Sequence, residues 1–163
     1  MPHSHNSAGI IPDFGVLTCS STRSKEEDDS GKIIVSLLKE SGFDIKDYEV
    51  IKDDFDGISG KIMEMSSSCD IIIVNGGTGI TKYDVTIEAA RSVSDKELTG
   101  FAIQFQVLSM HEMQSASMLS RASGFIVNRK AVFCLPGSKD AVSLGMKKLI
   151  IPEIAHIMHE LRR

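Results

Sequence analysis

The amino-acid sequence predicts a three-layer α/β/α sandwich on a mainly parallel sheet. Short apolar runs alternate along the chain with segments whose apolar residues recur at helical spacing. One run, Asp70-Ile-Ile-Ile-Val-Asn75, is so continuously β-branched and apolar that it needs cover on both faces, as a central parallel strand has. The 163 residues suit one domain with a continuous core.

Residues 1–13 are polar and without period, and they read as a flexible tail ahead of a domain at 14–163; His3 and His5 in it suggest no site. Phe14-Gly-Val-Leu-Thr-Cys19 is a short apolar run ending in Ser20-Ser21-Thr22, a buried strand entering a polar loop. Past Glu26-Glu27-Asp28-Asp29, the residues Ile33, Ile34, Leu37 and Leu38 form a helical stripe, and Gly42 stands where a C-terminal cap belongs. The cycle repeats with a strand at 47–51, a helix carrying Ile58, Ile62 and Met65 on one face, and the strand at 70–75. Helices are expected at 85–92 and 101–112. A last strand at 131–135 meets Pro136-Gly137-Ser138 and then a long helix interrupted near Pro152.

The formal net charge of −4, with no sustained basic block, argues against nucleic acid or an anionic membrane as the main partner. No run approaches the roughly 20 apolar residues of a membrane span, and no signal peptide is visible. Cys19, Cys69 and Cys134 are too scattered for a zinc site or a disulfide framework, which suits a reducing cytoplasm. Cys19 reads as a small buried hydrophobe rather than a reactive thiol. The His156, His159, Glu153 and Glu160 set has helical spacing and reads as an exposed face; the methionines read as filling core or subunit-contact gaps.

In sheets of this kind ligands bind at the carboxyl ends of the strands, so the loops after Cys19, Ile51, Asn75 and Leu135 are the places to search. The strongest candidate is Asn75-Gly76-Gly77-Thr78-Gly79-Ile-Thr-Lys-Tyr-Asp84-Val-Thr86-Ile-Glu88-Ala89. Its glycines allow close backbone approach and let amides face anionic oxygens, and the following helix adds its own N-terminal donors. The bland alternative is a strand-ending turn with Asp84 or Thr86 as an ordinary N-cap. Neither the P-loop pattern nor the full dinucleotide fingerprint occurs.

Gly76-Gly77-Thr78-Gly79 with Asp84-Val85-Thr86 and Glu88-Ala89 resembles the signature of the molybdenum-cofactor biosynthesis B and molybdopterin adenylyltransferase family. Further segments resemble that family in order: Thr18-Cys19-Ser20 with 26–31, Val50 to Asp54, Ser120-Arg121-Ala122 and Pro136-Gly137-Ser138. The resemblance implies a molybdopterin-binding-domain-like fold and a cytoplasmic enzyme that transfers AMP from Mg-ATP to molybdopterin, releasing pyrophosphate. It implies Asp53 and Asp84 as catalytic residues and Mg²⁺ ligands. It also implies Gly76, Gly77, Thr78, Gly79, Thr86, Ser20, Ser120, Arg121, Gly137 and Ser138 as binders of ATP and pterin.

Arg121 fits a bidentate ligand contact and a structural salt bridge equally well. Family members form trimers or hexamers, and a later-acting molybdenum insertion protein is an implied partner. The chain departs from the family pattern at Tyr83, where an arginine is usual and Lys82 is the nearest substitute, at Ile87, and at Ile103 and Gln106, where a glutamate and an arginine are usual. These departures motivate a second reading, a non-catalytic paralogue that stores or delivers the pterin. A third, carried by the glycine-rich loop alone, is a different nucleotide- or phosphometabolite-binding domain.

Overall fold

The computed structural model describes residues 11–163, so the first ten residues of the expected tail lie outside the described residues. The last two residues of that segment are tied down. Pro12 is buried, the Asp13 amide donates to the Asp70 carboxylate at 3.0 Å, and the Asp13 carbonyl accepts from the Asp70 amide at 2.7 Å.

Six strands form one sheet: β1 Phe14–Cys19, β2 Ile45–Ile51, β3 Ile71–Asn75, β4 Lys96–Glu97, β5 Ser123–Val127 and β6 Lys130–Leu135. Their order is β2-β1-β3-β6-β5-β4. The first four in that order are parallel, and β5 and β4 continue antiparallel from β6. The six principal helices are α1 Asp29–Glu40, α2 Phe55–Ser66, α3 Thr86–Ser92, α4 Thr99–Met113, α5 Lys139–Gly145 and α6 Ile151–Leu161.

The period-2 alternation of the strands sorts the core into two sides. Phe14, Val16, Ile71, Ile73, Ala131, Phe133 and Leu135 face a layer containing α1, α4, α5 and α6. Leu17, Cys19, Ile72, Val74, Val132 and Cys134 face α2 and α3. The expected three-layer sandwich is therefore present, with its central strands covered on both faces.

The expected boundaries shift by a few residues, and two elements have no counterpart in the sequence reading. β4 is two residues long, and β5 holds Gly124 among its apolar residues, so neither offers the alternation that betrays a strand. The β5–β6 hairpin turns on Asn128 and Arg129, both at positive φ (49° and 62°), as a tight two-residue turn requires. In the last helix the interruption falls just before Pro152. A proline has no N–H, and its ring crowds the carbonyl four residues back, so Met146–Ile150 widen into a π-helical segment between α5 and α6.

Two glycines adopt nearly the same backbone for different reasons. Gly42, at φ 87°, closes α1: its amide donates to Lys39 and the Phe43 amide to Leu38, a Schellman cap with open space around the Cα. Gly76, at φ 89°, ends β3 where the chain passes against the carbonyl of Cys19, and an added Cβ would fall inside contact distance of that oxygen. Denaturant unfolding separates the two: Gly42→Ala costs about 1 kcal/mol of backbone strain, and Gly76→Ala costs clearly more, about 3 kcal/mol or above, because backbone must also move. Equal losses would show that the approach at Gly76 is not tight.

Candidate ligand site at the carboxyl edge of the sheet

Strand order reverses between β1 and β3, and at such a point the loops from neighbouring strands run to opposite sides and leave a crevice. A cavity of about 460 Å³ opens there, lined by residues including Thr18, Cys19, Ser20, Asn75, Gly76, Gly77, Thr78, Gly79, Asp84, Ser120 and Gly137. Much of the site implied by the sequence is thus gathered at one edge.

Its floor is a buried polar network. The carboxylate of Asp28 accepts from Thr18 Oγ1 and Tyr48 Oη, both at 2.6 Å, and from the Gly31 amide at 3.0 Å, the last bond capping α1. Asn75 donates to Thr18 Oγ1 at 2.7 Å and accepts from Ser30 Oγ at 2.8 Å. Asn75, Thr18 and Ser30 are thereby fixed beneath the cavity with their polar groups satisfied. Burial and the neighbouring Asp28 raise the Tyr48 hydroxyl above its ordinary value, so it remains a donor.

The glycine-rich loop forms the wall. Gly76 donates to Leu135 O at 3.0 Å, while its own carbonyl accepts from Thr86 Oγ1 at 2.8 Å. Gly77, at φ 66°, leaves no room for a side chain against Thr86. The amides of Gly77 and Thr78 carry no hydrogen bond to another described residue. Two adjacent donors are thus free at the edge of a polar cavity, as an anion-binding turn demands.

The two implied carboxylates flank this loop. Asp53 accepts from the amide and hydroxyl of Ser21, each at 2.9 Å, and its other oxygen lies on the Gly77 side, 3.2 Å from where a Gly77 Cβ would stand. Its neighbour Asp54 does different work, capping α2 through the Gly57 amide at 2.7 Å. Asp84 is not a helix cap: Val85 occupies that position, and Asp84 instead accepts from the Thr81 amide at 2.9 Å and hydroxyl at 2.7 Å. Burial pushes the Asp84 carboxyl up, but bonds from Thr81 and the Gly79 amide, with the Arg121 charge, outweigh it and hold the group below the usual carboxylate range. Asp84 is therefore an anion at neutral pH.

Several implied binders face inward instead. Arg121 donates through Nε to Gly79 O at 2.9 Å and through Nη2 to Asp84 O at 3.2 Å, and it pairs with the Glu88 carboxylate. These contacts make it a clamp across the loop. Thr86 is buried on Gly76 O. Ser138 caps α5 through the Ala141 amide at 3.2 Å, and Gly137 packs against the Gly76 Cα. Ser20 Oγ accepts from the Arg23 amide at 3.1 Å, whereas the Ser120 hydroxyl is buried at the cavity without a hydrogen-bond partner among the described residues. An orphaned hydroxyl at a cavity wall is a natural ligand contact.

The sequence reading gave no role to Thr22, Arg23, Ser30, Asn75, Ala116 or Leu119, all of which line the cavity. Asn75 alone left a clear signal, as the polar end of an apolar strand. The departures at Tyr83, Ile103 and Gln106 lie outside the cavity lining: Tyr83 and Ile103 are exposed, and Gln106 bonds to Ser117 at 3.1 Å. Cys19 borders the cavity, but burial pushes its thiol up to about 12 despite the Thr86 hydrogen bond, and it stays an inert thiol. The methionines divide: Met65 and Met146 are buried in the core, whereas Met63, Met113 and Met118 are exposed. A possible cation-binding cluster of Asp47, Glu49 and Glu64 is already filled by the Lys61 ammonium, 2.5 to 3.6 Å from the three carboxylates.

A mainly parallel α/β/α sandwich with a glycine-rich turn and a polar cavity at its switch point defines a class of ligand-binding α/β proteins, and comparison with known proteins narrows it. Residues 15–156 match the family described as "Probable molybdopterin binding domain". The chain is 46% identical over 151 residues to molybdenum cofactor biosynthesis protein B of Bacillus cereus, covering 91% of this chain and 89% of that one. It is 45% identical, with the same coverage, to the Bacillus subtilis protein of that name. A crystal structure of molybdenum cofactor biosynthesis protein B superposes with TM-score 0.89 at 44% identity, covering 94% of this chain and 98% of that one. The tungsten cofactor synthesizing protein MoaB from Pyrococcus furiosus superposes with TM-score 0.86 at 34% identity, covering 96% and 100%. The chain belongs to the family of molybdenum cofactor biosynthesis protein B. No helix among the described residues is long and apolar enough to cross a membrane.

The clamp has a testable pH signature. The hydrogen bond from Arg121 holds the Glu88 carboxyl below its ordinary value, outweighing burial. A depressed folded-state value contributes stability above the unfolded pKa, about 4.3 for glutamate, that is lost as pH falls through the lower folded value. The stability gap between wild type and Glu88→Gln should be full at pH 6 and close progressively below about pH 4. A gap that stays constant down to pH 2 would contradict the pairing.

Proposed function

We propose that this chain transfers AMP from ATP to molybdopterin. The free Gly77 and Thr78 amides at the switch-point cavity, flanked by Asp53 and Asp84, carry this reading. An oxygen of the molybdopterin phosphate attacks the α-phosphorus of ATP, the bond from that phosphorus to the bridging oxygen of the β-phosphate breaks, and pyrophosphate leaves with its electron pair. Positioned donors and neutralised charge serve this chemistry better than a covalent nucleophile does. The turn and the unpartnered Ser120 hydroxyl supply such donors. Hard carboxylate oxygens beside a phosphate turn suit Mg²⁺, which uses few protein ligands and completes its shell with water and phosphate. Asp53 and Asp84 would hold it, and when bound it neutralises charge on the phosphates. Relatives named for molybdenum or tungsten cofactor synthesis support a pterin as the acceptor.

Transfer is measured as adenylylated molybdopterin formed from purified molybdopterin and Mg-ATP. Asp53→Asn and Asp84→Asn should each lower the rate by about a hundredfold or more in a chain that still folds, at the cost of a modest drop in thermal midpoint. Asp84→Asn keeps one oxygen to accept from Thr81 while removing the charge, so the rate should fall far more than the stability does. Near-native turnover in both variants would overturn the assignment, and a wild-type chain that binds pterin without forming product would support the storage reading instead.

We also propose that the chain assembles as a trimer or a pair of trimers through α4. Ile103, Val107 and Met110 lie at i, i+4 and i+7 on that helix, and all three are exposed. Sedimentation should show trimers or hexamers for the wild type and monomers for Val107→Lys. A wild-type monomer at micromolar concentration would reject this interface.

A further inference from the structure

We propose that Arg23, on the loop after β1, is the cation that grips the ligand's phosphates, and that Arg121 is a positioning residue that does not touch the ligand. The inference rests on the reading that the cavity receives a polyphosphate. Free amides donate hydrogen bonds but bring no net charge, and Asp84 on the lining with Asp53 beside the loop makes the wall acidic. A polyanion there needs a cation. Arg23 is the one cationic side chain on the cavity lining among the described residues.

The two arginines are held in opposite ways. Arg121 spends its guanidinium on Gly79 O, Asp84 O and Glu88, so its charge is paired within the loop and its donors are occupied. It does not line the cavity. The Arg23 backbone is pinned through its amide to Ser20 Oγ at 3.1 Å, yet its guanidinium makes no hydrogen bond or ion pair to another described residue. A side chain anchored at its base and uncommitted at its head can offer a planar pair of donors to phosphate oxygens. Lys82, the nearest substitute for the family's usual arginine, lies outside the lining, with its ammonium 5.1 Å from the centre of the exposed Tyr83 ring.

Calorimetric titration of the full chain with inorganic tripolyphosphate, at several salt concentrations, tests this alongside the transfer assay. Arg23→Gln should weaken binding about ten- to a hundredfold and flatten its salt dependence, with the thermal midpoint unchanged; Arg23→Lys should keep the salt dependence and lose less affinity. Arg121→Lys should lower the thermal midpoint, as Glu88→Gln does, and leave the salt dependence of binding as in the wild type. The inference is overturned if Arg23→Gln binds tripolyphosphate like the wild type, or if Arg121→Lys is the variant that flattens the salt dependence. Wild-type binding without adenylylated product would sink the transfer reading alone, with the Arg23 result still standing. A wild type that binds no tripolyphosphate would overturn both.

Discussion

The site depends on one close approach, the passage of Gly76 over the carbonyl of Cys19. Three parallel strands end there. Gly76 leaves β3, touches the end of β1, donates to Leu135 at the end of β6, and packs against Gly137 beyond it. Only a residue without a Cβ fits that space and takes a φ of 89° without strain. With Gly76 set and its carbonyl held by Thr86, the next turn leaves the strand and its ladder, so the amides of Gly77 and Thr78, on the cavity lining, have no hydrogen-bond partner among the described residues. The two carboxylates acquire their positions relative to that turn, Asp53 beside Gly77 and Asp84 beside Gly79.

A second constraint lies beneath it. Asp28 is fully buried and accepts from Thr18, Tyr48 and the Gly31 amide, and the Ser30 hydroxyl, whose proton goes to Asn75, lies 3.4 Å from it. A buried carboxylate is tolerable only when its oxygens are satisfied, so each donor is held as firmly as the carboxylate. Tyr48 brings β2 into the arrangement, Thr18 brings β1, and Ser30 carries the network on to Asn75 of β3. The cavity floor is therefore rigid, and mobility is left to the exposed tips, where Ile80, Tyr83 and the Arg23 head face solvent.

Much of this was legible in the residues. The alternating strands, the doubly covered β3 and the glycine-rich turn follow from patterns of period 2 and 3.6 and from residue types with few other uses. The implied residues Gly76 to Gly79, Asp84, Ser20, Ser120 and Gly137 do line one cavity. What escaped was direction. Sequence spacing does not tell that Asp53 turns toward Ser21 while Asp54 caps a helix, or that Arg121 and Thr86 spend their polar atoms inside the loop. Asp53 and Arg121 meet partners 32 and 42 residues away, and Thr86 meets one across a turn of ten, separations on which local spacing is silent. β4 and β5 were missed because two residues carry no period and Gly124 breaks the apolar run. Arg23 left no mark at all, since a lone arginine in a polar loop is ordinary.

The central claim is that the Gly76–Gly79 turn is a phosphate cradle, and backbone amide chemical shifts report on it most directly. On titration with Mg-ATP, the largest shifts should fall on Gly76, Gly77, Thr78 and Gly79, with Gly137 and Ser120 next, and the amides of Gly77 and Thr78 should move most because no other described residue holds them. Shifts centred on α4, or on the far edge of the sheet around β4 and β5, with the turn unmoved, would contradict the account.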